Sequence, residues 1–159
     1  MQYEIVNLTE KVVAGFSAIT NNTSPEMSSV IGGLWQKLYS KNGCEGLTNR
    51  VNDKAVGIYT NYAGNHLDDY TVIAACEVKN SENIPDNMEI HKIPEGKYAK
   101  FIVRGNMITA VSEFWQKLWN LNLDRSFICD FEEYQNADLE NAEIHIYIGL
   151  KKGTVKDET

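Results

Sequence analysis

The chain has 159 residues, is 43% hydrophobic and 23% charged, and carries a net charge of −7 from 22 acidic and 15 basic residues. That length suffices for one domain with a buried core, and the composition argues against disorder. Lysine and arginine are scattered, so no counterion-displacing duplex surface is expected, and no apolar run approaches the roughly 18 residues that span a bilayer.

The N-terminus MQYEIVNLTEK has neither a basic nor an apolar signal region, so a cytoplasmic location is expected. Cys44, Cys76 and Cys129 are widely separated and form no C-x-x-C pair, and His66, His91 and His145 are equally isolated. Neither a disulfide framework nor a metal site is suggested, and no cofactor is implied. Buried or half-buried structural roles are expected for all six.

In chain order, short strands are read at 3–6 and 12–18. A helix follows, in which Met27, Ile31, Leu34, Trp35 and Leu38 recur at spacings of three and four. Ser24–Pro25 is read as its start and Asn42–Gly43 as its stop. Strands at 55–61 and 70–78 come next, then a polar linker at 79–87. The second half repeats the pattern: strands at 88–93 and 98–104, and a helix carrying Met107, Ala110, Val111, Phe114, Trp115 and Leu118 behind Asn106 as its cap. Two more strands follow, at 127–134 and 143–150. Along the last, Ile144, Ile146 and Ile148 face one side, and Glu143, His145 and Tyr147 the other.

Both helices carry the string Trp-Gln-Lys-Leu, at 35–38 and 115–118. Each half therefore reads strand–helix–strand–strand. The expectation is one α+β domain over 1–159, with repeats at about 1–79 and 88–151 and a tail at 152–159. Tandem βαββ units would build an antiparallel sheet with two helices packed on it and a pseudo-two-fold axis. The seam between the units is where a concave ligand site is expected.

Ile93-Pro94-Glu95-Gly96-Lys97-Tyr98-Ala99-Lys100-Phe101, then Arg104-Gly105, the helix string 114–119, Asp130-Phe131-Glu132-Glu133-Tyr134 and Glu143-Ile144-His145-Ile146-Tyr147-Ile148 together resemble GyrI-like and AraC-type effector-binding domains. Gly57-Ile58-Tyr59 and 68–72 match further family patterns. The resemblance covers nearly the whole chain and implies the GyrI-like duplication of the SHS2 unit. Gly149 departs from the family's usual proline, and Ala74–Ala75 from a common glycine. The chain opens directly on the effector-domain pattern, so a stand-alone member is expected, with no direct nucleic-acid or membrane binding.

The resemblance implies a pocket carboxylate in the Phe-Glu-x-Tyr strand, here Glu132, among aromatic rings that take lipophilic cationic or drug-like ligands. Matching Tyr70 to Glu143 places Tyr59 opposite Glu132 across the seam. Candidate walls are Tyr59, Trp115, Tyr134 and Tyr147, with Trp35 from the first helix, and Glu143 competes with Glu132 as the central carboxylate. The competing readings are core packing for Trp35 and Trp115 and a solvated strand face for the two glutamates. Binding without turnover is the leading function. One alternative is a hydrolase of electrophilic small molecules, with Glu132 as base and Tyr134 or Tyr59 as donor. Another is a gyrase-inhibitor-like interaction module with a protein partner.

Overall fold

The computed structural model describes residues 2–39, 47–63, 69–136 and 138–151. In chain order it contains β1 (Glu4–Leu8), β2 (Lys11–Thr20), α1 (Met27–Leu38), β3 (Arg50–Thr60), β4 (Tyr70–Val78), β5 (Glu89–Ile93), β6 (Gly96–Gly105), α2 (Met107–Trp119), β7 (Arg125–Tyr134) and β8 (Ala142–Leu150). The strands form one antiparallel sheet in the order β1-β6-β8-β7-β3-β4-β2-β5. The α+β class, with two helices on an antiparallel sheet, is as the sequence indicated. The order reads the same from either edge once β1 to β4 are exchanged with β5 to β8. At its centre β3 and β7 pair across the two halves, with Ile58 opposite Phe131.

Chain connectivity curls this sheet. β1 lies at one edge yet runs into β2 near the other, and β5 returns to β6 in the same way. Each link has two residues between strands and reaches at most about 11 Å. The edges must therefore approach each other. Inside the curl, Val13, Val56, Ile58, Ile73, Ala75, Ile93, Tyr98, Phe131 and Tyr147 form a buried cluster, with Val6 and Leu8 of β1 packed against it. Strands buried on both faces read as continuous apolar runs, which explains Val72 to Cys76 in β4.

The helices cover the other face. α1 packs on β2 and β4, and α2 on β6 and β8. Leu34 and Leu38 join Ala14, Val72, Ala74 and Cys76, whereas Phe114 and Leu118 join Ile144, Ile146 and Ile148. The middle strands β3 and β7 lie between the two helices, and the cavity described below opens above them.

Asn106 caps α2 as read, its side-chain oxygen accepting from the N–H groups of Ile108 and Thr109 at 3.1 Å. Ser24 does not cap α1. Its hydroxyl accepts the Glu26 N–H at 3.2 Å in a preceding turn, so the helix begins at Met27 with no side-chain cap. The expected stop at Asn42–Gly43 lies outside the described residues. Cys76 is disulfide-bonded, contrary to the expectation of no disulfide. Spacing along a chain does not report proximity in space. β7 begins two residues earlier than read, because an irregularity between Arg125 and Asp130 takes up chain against β8.

Candidate functional site

Period two along β7 puts Asp130, Glu132 and Tyr134 on the helix-side face and Phe131 inside the curl. On β3 the corresponding residues are Gly57 and Tyr59, with Gly57 directly opposite Glu132 and Tyr59 opposite Asp130. Tyr59, Glu132 and Tyr134 form the floor of a cavity of about 800 Å³. α1 contributes Met27, Ile31 and Trp35 to its walls, and α2 contributes Met107, Val111 and Trp115. Tyr39 and Ile108 also line it and are exposed, so the cavity communicates with solvent.

Glu132 is 1% exposed. Its Oε1 accepts from the Tyr59 hydroxyl at 2.9 Å and the Tyr134 hydroxyl at 3.3 Å, and its Oε2 accepts from Trp115 Nε1 at 3.0 Å. Among the described residues no cationic side chain pairs with it. Burial raises the pKa of its carboxyl above the ordinary value, while the three donors, Trp115 first, hold it down. The two phenols respond in the opposite sense. Tyr59 and Tyr134 are pushed well above their usual pKa, first by burial and then by the adjacent Glu132. Tyr70 is raised to about 12 by burial and Glu132.

The rings pack in two groups on either side of Glu132. Trp35 meets Tyr134 edge-on at 5.3 Å, Trp115 meets Tyr59 edge-on at 5.3 Å, and Tyr59 meets Tyr70 at 5.7 Å. Gly57 makes this possible. A Cβ there would stand 3.1 Å from both Glu132 Oε1 and Trp35 Cζ2, so only glycine lets the indole and the carboxylate meet over β3 without displacement.

A second polar group lies beside the first. Asp130, fully buried, accepts from Arg125 Nη2 at 2.7 Å, the Tyr62 hydroxyl at 2.6 Å and the Gly149 N–H at 2.8 Å. Proline at position 149 would have no N–H to donate to Asp130.

The structure thus brings Trp35, Tyr59, Trp115, Glu132 and Tyr134 into one cavity. It separates Glu143 and Tyr147 from them, which corrects the place of Tyr147 among the walls and that of Glu143 as a competing pocket carboxylate. Tyr147 points into the curl, stacked on Phe131 at 4.5 Å. Glu143 shares that face of β8 and binds His145 at 2.9 Å and Arg104 at 3.1 Å near the surface; the His145 contact is the first cause of its lowered pKa. On β8 the isoleucines take the helix side because α2 covers it. Tyr59 and Glu132 touch through a hydrogen bond but are not directly opposite in the ladder, being displaced by two residues. Sequence reasoning missed Gly57, Tyr62, Tyr70 and Arg125 as site residues. Asp130 was within reach, since the period-two row from Glu132 leads to it. Arg125 was not, because the β7 irregularity breaks that row.

An aromatic cavity between two helices, floored by the central strands of a curled antiparallel sheet, defines a small-molecule effector-binding domain. The family described as integron-associated effector-binding protein matches residues 4–150, and the chain belongs to it. The resemblance to GyrI-like effector-binding domains is thereby shown. Integron cassette protein VCH_CASS2 from Vibrio cholerae is 30% identical, with a TM-score of 0.77 over 94% of this chain and 95% of that one. SAV2435, solved bound to tetraphenylphosphonium, is 18% identical with a TM-score of 0.76 over 96% and 95%. A Staphylococcus aureus protein described as a putative bacterial transcription regulation protein is 17% identical, with a TM-score of 0.68 over 94% and 99%. No curated protein sequence matches the chain. Among the described residues no group of three or more His, Cys, Asp or Glu could hold a metal ion, and no helix is long and apolar enough to cross a membrane.

Proposed function

We propose that this protein binds lipophilic organic cations in the cavity between α1 and α2, with Glu132 supplying the countercharge. The observation that carries the reading is the burial of Glu132 without a cationic partner inside a cage of aromatic rings. A desolvated carboxylate favours either its own protonation or a positively charged neighbour. The rings of Trp35, Tyr59, Trp115 and Tyr134 supply apolar area, and each face that meets a cation adds about 0.5–2 kcal/mol. The surrounding walls are apolar, so they select a cation whose charge is dispersed and weakly hydrated over one that keeps its water. The likeness to SAV2435, solved with tetraphenylphosphonium, supports the same ligand class here.

The test uses the intrinsic fluorescence of Trp35 and Trp115, both of which line the cavity. Tetraphenylphosphonium and neutral triphenylphosphine oxide are titrated into the wild-type chain. The expected result is saturable one-to-one quenching by the cation, with the neutral compound at least tenfold weaker. Equal affinity for both, or no saturable change with either, overturns the reading.

A further inference from the structure

We propose that the cavity has a second, cationic pole at Arg125, and that it favours ligands carrying a carboxylate or comparable acceptor as well as a delocalised cation. This deepens the cation-binding reading and rests on it.

Arg125 lines the cavity and is 8% exposed. A guanidinium has five N–H donors in a fixed plane. Among the described residues, the bond from Nη2 to Asp130 is the only hydrogen bond it makes, and its buried Nε has no partner. Buried donors left without an acceptor are rare in folded proteins, and each asks what fills the vacancy. Asp130 does not fill it: its hydrogen bonds are to the Gly149 N–H at Oδ1 and to Arg125 Nη2 and the Tyr62 hydroxyl at Oδ2. The guanidinium is also held in place, because the Phe127 ring lies 4.3 Å from its central carbon. Phe127 itself has φ 55°, an uncommon conformation for a side-chain-bearing residue, at the irregularity that brings Arg125 back over the floor. Arg125 is therefore a fixed, under-used donor on the wall of a ligand cavity.

Its spacing from Glu132 suits one small molecule. Asp130 and Glu132 are two residues apart on one face of β7, which is about 7 Å along the strand. Arg125 is bonded to the first of these. The two poles are joined by one aromatic wall: Tyr59 donates to Glu132, Tyr59 meets Tyr70 at 5.7 Å, Tyr70 meets Tyr62 at 5.8 Å, and Tyr62 donates to Asp130. A flat aromatic ligand lying along that wall would place a cationic ring system near Glu132 and an acceptor near Arg125. A simple cation satisfies only the first pole.

The probes are rhodamine 123, a cationic methyl ester, and rhodamine 110, its free acid, which adds a carboxylate to the same ring system. Fluorescence polarisation against the full chain at pH 7.5 gives both affinities, with tetraphenylphosphonium as a competitor. The wild type is expected to bind the acid at least threefold more tightly than the ester. Arg125→Lys keeps a cation against Asp130 but removes the planar donor array. It is expected to weaken the acid at least fivefold more than the ester. The wild-type ratio needs no variant, so the inference stays testable if Arg125→Lys misfolds. An ester bound as tightly as the acid in the wild type, equal weakening of both dyes by the lysine, or failure of both dyes while tetraphenylphosphonium binds would overturn the second pole and leave the cation cage standing. Failure of all three compounds would overturn the cation cage and the inference with it.

Discussion

Replacing Trp115 by phenylalanine isolates the one donor on which Glu132 Oε2 depends. Oε1 accepts from two phenols, but among the described residues Oε2 accepts only from Trp115 Nε1, at 3.0 Å. Hydrogen bonds to charged groups contribute about 1.5–3 kcal/mol. Losing this one raises the Glu132 pKa further, because burial is then opposed by two donors instead of three. The sign follows from linkage. Burial already raises the carboxyl in the folded protein, so Glu132 adds stability below its unfolded pKa and loses it as pH climbs to the folded value. In Trp115→Phe that loss continues to a higher pH. The stability gap between wild type and variant is then constant at low pH, where both carboxyls are protonated. It widens by about 1.5–3 kcal/mol above both folded pKa values. The smaller ring also leaves a void, but that cost does not change with pH. Urea denaturation at intervals from pH 4 to pH 9 reads the gap directly. A gap of constant size across the range would refute the claim that the indole holds the ionised carboxylate.

Other substitutions test the frame around the site. Asn106→Ala removes the side-chain acceptor for the Ile108 and Thr109 N–H groups and should cost about 1 kcal/mol in chemical denaturation. Gly33→Ala should stabilise α1 by up to about 1 kcal/mol, since a Cβ there meets nothing within 4 Å; a lower thermal midpoint would contradict it. Gly149→Pro would remove the N–H that Asp130 accepts and set a Cβ 2.5 Å from the Cys129 carbonyl oxygen. A loss above about 3 kcal/mol is expected from the unsatisfied carboxylate and the clash together, and a variant of wild-type stability would refute the bond's role.

Much of this arrangement was legible beforehand because its signals are periodic. The three-four stripes around Trp35 and Trp115 marked both helices, and the repeated string pointed to two halves with like element order. Alternation then placed Glu132 and Tyr134 on one side of their strand. What alternation could not say was which side of each strand faces the cavity. On β8 the apolar side meets α2 and the polar side turns away, which removed Glu143 and Tyr147. On β7, lying between the helices, the polar side faces the cavity instead. Arg125 was hidden for a different reason: between its pairing with Leu150 and that of Asp130 with Ile148, four residues of β7 stand against one of β8. Local breaks in period carry no signature in a pattern of hydrophobicity.

The central claim is that Glu132 is the countercharge of the cage. Isothermal titration of tetraphenylphosphonium into wild type and Glu132→Gln at pH 7.5 tests it most directly. Loss of at least tenfold in affinity, in a variant that melts no lower than wild type, is the predicted result. Undiminished affinity in a folded Glu132→Gln protein would contradict it.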